Sequence, residues 1–129
     1  MANIDWSKLT FSYTKTNTIL TTTFKDGEWS PVESTTDDYM KVSTFCGAFH
    51  YAIECFEGRK AFRGKDGRIR LFRPEENAKR LIRSAKYLGI EAPSVEMFVD
   101  MCKRAVLENI DYLPPYEEAG ASLYLRPTL

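Results

Sequence analysis

From Lys60 to Gly89 two different apolar periods follow one another without a break, so the fold has to hold both strands and a helix. Lys60-Ala61-Phe62-Arg63 and Arg68-Ile69-Arg70-Leu71-Phe72 alternate polar and apolar residues on either side of Gly64-Lys65-Asp66-Gly67. That pattern predicts two half-buried strands joined by a tight turn, with Ile69 and Leu71 on one face and Arg68, Arg70 and Phe72 on the other. Pro74 then opens a helix, because its missing N–H would be unpaired at that position anyway, and Glu75 and Glu76 complement the positive helix start. Ala78, Leu81, Ile82, Ala85 and Leu88 recur at three- and four-residue steps, which gives one apolar stripe, and Gly89 is placed to end it.

The flanking sequence adds smaller elements. Asp26-Gly27 between Phe24 and Trp29 reads as a hairpin turn. Residues 41–51, small and aromatic without clean periodicity, read as loop or irregular strand. A second helix starts after Ser94 as N-cap, carries Phe98, Val99, Cys102, Ala105 and Val106 inward, and ends before Asp111. Pro114-Pro115 forces an extended stretch. The run Ala121 to Leu129 is strand-like with no closing turn or polar tail, so the expectation is that the chain is cut there. At 129 residues the length suits one domain, 1–129. Strands followed by two helices and a final strand predict an α+β domain, a mixed or antiparallel sheet with two helices packed on it.

Charge narrows the function classes. Lys plus Arg and Asp plus Glu each number 18, so the net charge is zero, which argues against nucleic acid and against a polybasic membrane contact. No apolar run approaches the roughly 20 residues that cross a bilayer. Cys46, Cys55 and Cys102, three in number and irregularly spaced, read as reduced thiols, and the N-terminus lacks a basic-then-apolar signal segment, so a cytoplasmic location is expected. His50 is the single histidine, and no CxxC, phosphate-loop or dinucleotide glycine pattern occurs, so no metal site is expected.

Three stretches together carry more information. His50-Tyr51 is followed shortly by Phe56-Glu57-Gly58; Arg70-Leu71-Phe72-Arg73-Pro74 runs into a helix bearing Arg80; and Leu123-Tyr124-Leu125-Arg126-Pro127 comes near the end. In this order and spacing the chain resembles the branched-chain amino-acid aminotransferases, from Leu9-Thr10-Phe11 to Leu129. The resemblance implies the N-terminal small domain of a fold-type IV pyridoxal-phosphate enzyme. Such enzymes continue for roughly 200 residues into a larger domain that supplies the cofactor-linking lysine, the carboxylate facing the pyridine nitrogen and most of the phosphate cup. No catalytic residue is therefore assigned here, and the 129-residue chain is expected to be inactive alone.

What the resemblance implies for single residues can be weighed against plainer readings. Arg80, otherwise a solvated helix-surface cation, would hold the phosphate of pyridoxal 5'-phosphate, a task suited to a planar guanidinium. Tyr51 and Phe56, otherwise core aromatics, would line a pocket for the branched side chain, with Phe11 as a third wall. Gly58 would allow a tight backbone turn beside the substrate. Arg126, otherwise a surface cation, would be steadied by Tyr124 and meet the distal carboxylate of glutamate or 2-oxoglutarate. Substrates would be amino acids and 2-oxo acids, handled by a homodimer. Two positions depart from or qualify the pattern. Arg59 stands where relatives often carry an apolar residue, and Cys55 reads as a small buried hydrophobe. A D-amino-acid aminotransferase or aminodeoxychorismate lyase of the same fold, and a non-catalytic α+β interaction module, are the alternative readings.

Overall fold

The computed structural model describes residues 4–10, 12–118 and 120–129. Every strand pairing in it is antiparallel, in an α+β arrangement of three small sheets and three α-helices. In the first third, β1 (Ile19–Thr21) pairs with β4 (Glu33–Thr35), and β2 (Phe24–Lys25) pairs with β3 (Glu28–Trp29). The Asp26-Gly27 turn was legible in the sequence: Asp26 at φ 53° and Gly27 at φ 88° supply the two positive φ values of a type I′ hairpin, and Phe24 meets Trp29 across it.

The segment read as loop or irregular strand needs correcting at its end. Gly47–Tyr51 form a short helix, α1, that stops where Ala52 turns left-handed at φ 52°. Five residues make barely more than one turn and bury none of their side chains, so no apolar stripe exists to be read.

The alternating runs form the hairpin predicted for them. β5 (Arg59–Arg63) pairs with β6 (Ile69–Leu71) on one edge and with β7 (Leu123–Leu125) on the other. α2 (Pro74–Leu88) begins at the expected proline and ends at Gly89, left-handed at φ 69°. Its buried stripe is Ala78, Leu81 and Ala85; Leu88, expected inward, is 39% exposed in the last turn before Gly89. α3 (Val95–Glu108) starts on Ser94, whose Oγ accepts the Met97 N–H at 3.1 Å. It buries Phe98, Val99, Cys102 and Val106, with Ala105 only partly covered. Ala78, Leu81, Phe98, Val99 and Cys102 form one core cluster between the helices. Ala61, Val106, Leu113 and Leu123 form a second, between sheet and α3.

Polar contacts on α3 fasten the first third to this core. The buried Asn109 accepts the Thr18 N–H at 2.9 Å and donates to the carbonyls of Thr18 and Ala105 at 3.1 and 2.8 Å. Glu108 accepts from Arg104 Nε at 2.7 Å, Thr18 Oγ1 at 2.7 Å and Ser34 Oγ at 2.8 Å, and Arg104 also donates to the Val32 carbonyl at 2.9 Å. The hydrogen bonds from Arg104, Thr18 and Ser34, aided by the Arg104 charge, hold the Glu108 carboxyl down to about 2.

Two measurements check this account. Ser94→Ala should lower the urea midpoint by the equivalent of about 1 kcal/mol with an unchanged slope, since it orphans one helix-start N–H. Glu108 is depressed in the folded state, so its contribution is complete above its ordinary value of 4.5 and is lost as pH falls toward 2. The melting temperature of Glu108→Gln should therefore fall below that of the parent at pH 7 and converge with it near pH 2.

Candidate functional site

The alternation of β5 decides which side chains reach solvent as a group. Arg59 and Ala61 are buried on one side, while Lys60 and Phe62 point away, with Tyr124 opposite Lys60 across the β5–β7 pairing. Gly58, Lys60, Phe62 and Tyr124 meet Phe72, Asn77 and Arg80 around an open concavity of about 430 Å³, where the start of β5 faces the first turns of α2.

Glu57 organises the rim. It is 6% exposed, and its carboxylate accepts Arg80 Nε at 2.9 Å on Oε1, and Arg80 Nη2 at 2.5 Å and Asn77 Nδ2 at 2.8 Å on Oε2. Burial pushes the Glu57 carboxyl up, but hydrogen bonds from Arg80 and Asn77 and the Arg80 charge outweigh it and hold the group below its usual range. The backbone here is also fixed. Cys55 and Leu129 exchange hydrogen bonds of 3.0 and 2.8 Å, and the Glu57 N–H donates to the Pro127 carbonyl at 2.9 Å. Cys55 is half-buried against the helix core, as a small hydrophobe would be.

That pairing brings Arg126 beside Phe56. The Arg126 guanidinium lies 4.2 Å from the Phe56 ring centroid and 5.2 Å from that of Tyr124, and its Nε donates to the Tyr124 hydroxyl at 3.1 Å. Gly58 is needed for a reason other than a turn, because it has no left-handed φ: a Cβ there would collide with the Tyr124 hydroxyl.

Five of the residues singled out in the sequence thus converge. Arg80, Gly58 and Tyr124 line the concavity, and Phe56 and Arg126 adjoin it through Tyr124. Tyr51 does not line it; it ends α1, 79% exposed, with the His50 ring 6.2 Å away. Phe11 lies outside the described residues. Sequence reasoning missed Glu57, Asn77, Lys60, Phe62 and Phe72. The period-two pattern of β5 already put Lys60 and Phe62 on one face, whereas nothing local pairs Glu57 with a residue 23 positions on.

Arg59 is the anomaly. It is 5% exposed, and its Nε and Nη1 have no hydrogen-bond partner among the described residues. It lies against Cys102, whose thiol burial pushes up to about 11 against a smaller downward pull from the guanidinium. Among the described residues no group of three or more His, Cys, Asp or Glu could hold a metal, and no helix is long and apolar enough to cross a membrane.

No family profile matches the chain. It is 46% identical over 129 residues to a branched-chain-amino-acid aminotransferase of Haemophilus influenzae, covering 100% of this chain and 37% of that protein. The enzyme of the same name from Helicobacter pylori is 42% identical over 127 residues, 98% of this chain and 37% of its own length. A chloroplastic branched-chain-amino-acid aminotransferase of Arabidopsis thaliana is 38% identical over 130 residues, 100% of this chain and 31% of its length. The chain spans about a third of the length of these relatives.

A guanidinium buried without full pairing costs stability. Arg59→Met should raise the unfolding free energy by about 1–3 kcal/mol in urea titrations.

Proposed function

We propose that this chain, a relative along its whole length of the branched-chain-amino-acid aminotransferases, forms the substrate-facing part of such an enzyme. The reaction would pass the amino group of leucine, isoleucine or valine to 2-oxoglutarate, reversibly and in two ping-pong halves, with pyridoxal 5'-phosphate as cofactor. The observation that carries this reading is the meeting of Arg80, Gly58 and Tyr124 at one concavity, with Arg126 and Phe56 stacked beside it.

The residues fit the cofactor. Glu57 takes two of the N–H groups of Arg80, and the guanidinium side chain remains 56% exposed, so its other donors are available to a phosphate ester. When bound, pyridoxal phosphate supplies the electron sink for chemistry at the amino-acid α-carbon. This chain's own residues would then bind and orient. Arg80 holds the phosphate. Phe56 offers a ring wall that excludes water from a branched side chain, where each methylene discriminates by only about 1–3 kcal/mol, so leucine, isoleucine and valine are all accepted. Tyr124 steadies Arg126, which engages the distal carboxylate of 2-oxoglutarate. Because Arg126 rests on ring faces and a neutral hydroxyl, an apolar substrate need not separate it from a carboxylate partner.

By the same resemblance the cofactor-linking lysine belongs to the part of the relatives that this chain does not span. The 129-residue chain alone is therefore proposed to be inactive. Free Cys46, Cys55 and Cys102 support a reducing, cytoplasmic setting, and a homodimer is proposed from the resemblance.

The test uses enzyme expressed from the complete reading frame. Arg126→Ala should raise the KM for 2-oxoglutarate ten- to a hundredfold, the loss of about 1.5–3 kcal/mol expected of a charge-assisted hydrogen bond, while the KM for leucine changes less than threefold. Absence of leucine-dependent transamination in the parent enzyme, or an equal effect on both substrates, would overturn the reading.

A further inference from the structure

The ion pair between Glu57 and Arg80, beside the concavity, joins a buried carboxylate to an exposed guanidinium, and that asymmetry is informative. A helix-surface arginine with nothing to hold it samples many rotamers, so an anion binding to it must first order the side chain. Here the ordering is already done. Glu57 is 6% exposed, and its two oxygens accept three hydrogen bonds, from Arg80 Nε, Arg80 Nη2 and Asn77 Nδ2. The backbone that carries the carboxylate is itself tied down. The Glu57 N–H donates to the Pro127 carbonyl, and Asn77 on α2 also donates to the Gly58 carbonyl at 3.4 Å.

A guanidinium has five N–H groups in one plane. Glu57 occupies two of them along the Nε side, which leaves the three others on Nη1 and the outer side of Nη2. That remaining edge can grip an oxyanion with two parallel bonds.

We propose that Glu57 is the positioning residue of the anion site, holding Arg80 side-on so that its outer edge is presented to a phosphate monoester. The inference rests on the reading that Arg80 takes the cofactor phosphate. It also runs against simple electrostatics. A carboxylate paired to Arg80 cancels its charge and, if charge alone governed binding, removing it would tighten the hold on a phosphate dianion. Positioning predicts the reverse.

The experiment titrates apoenzyme from the complete reading frame with pyridoxal 5'-phosphate and, separately, with pyridoxal, which lacks the phosphate, following absorbance. Glu57→Gln should weaken pyridoxal phosphate about tenfold and leave pyridoxal within twofold. Asn77→Ala, which removes one of the three bonds and leaves both charges, should weaken pyridoxal phosphate by a smaller factor in the same selective way, and decides the matter if Glu57→Gln fails to fold. Arg80→Ala should abolish the preference for the phosphorylated ligand. If Arg80→Ala keeps that preference, the cofactor reading of Arg80 itself fails. If Arg80→Ala loses it but Glu57→Gln and Asn77→Ala bind as the parent does or more tightly, or weaken both ligands alike as loss of structure would, the positioning role of Glu57 is overturned.

Discussion

Hydrogen bonding along both edges of β5 is the constraint on which the rest of the structure depends. With β6 on one side and β7 on the other, the strand cannot rotate, and its alternation becomes a fixed division of labour. Ala61 goes to the core with Leu123 and Val106, while Lys60 and Phe62 go to the concavity. A slip of one residue would exchange the two sets. The β7 register matters as much, because it puts Tyr124 against Gly58 and Lys60 and delivers Arg126 to the Phe56 ring.

The two site arginines are held by opposite means. Arg80 is gripped by a carboxylate that neutralises it, so what it offers is direction. Arg126 is gripped by ring faces and a phenol that leave its charge intact, so what it offers is field as well as geometry. Because the Tyr124 ring occupies the space a Cβ on Gly58 would need and its hydroxyl accepts from Arg126, one side chain links the two ends of the concavity.

Much of this architecture was legible in the sequence because the signals are local. Pro74 and Gly89 bound α2, Ser94 caps α3 through its own hydroxyl, and Asp26-Gly27 adopts the turn its composition favours. α1 escaped because a single exposed turn has no periodicity, and Leu88 because a helical period does not by itself say where burial stops along the helix. The site divides along the same line. Gly58, Tyr124 and Arg126 stand out only through the order of motifs across the chain and the resemblance it carries, and the structure brings them together. Glu57, between Phe56 and Gly58, carries no local signal, since its partner is set by how α2 lies across the start of β5. Tyr51, paired with Phe56 by the resemblance, stands apart from this concavity, because the left-handed Ala52 turns the chain between the two.

The two edges of β5 are completed on very different schedules. β6 lies just beyond the Gly64–Gly67 turn and can zip onto its neighbour as soon as it leaves the ribosome. The other edge has to wait for β7, after all of residues 64–122 have been synthesised. Until then the nascent chain carries an open strand edge along Arg59, Lys60 and Ala61, the kind of surface that recruits stray strands. The early β5–β6 hairpin and the α2–α3 pair that folds behind it would shield one face during that interval, leaving the open edge as the segment that chaperones must guard.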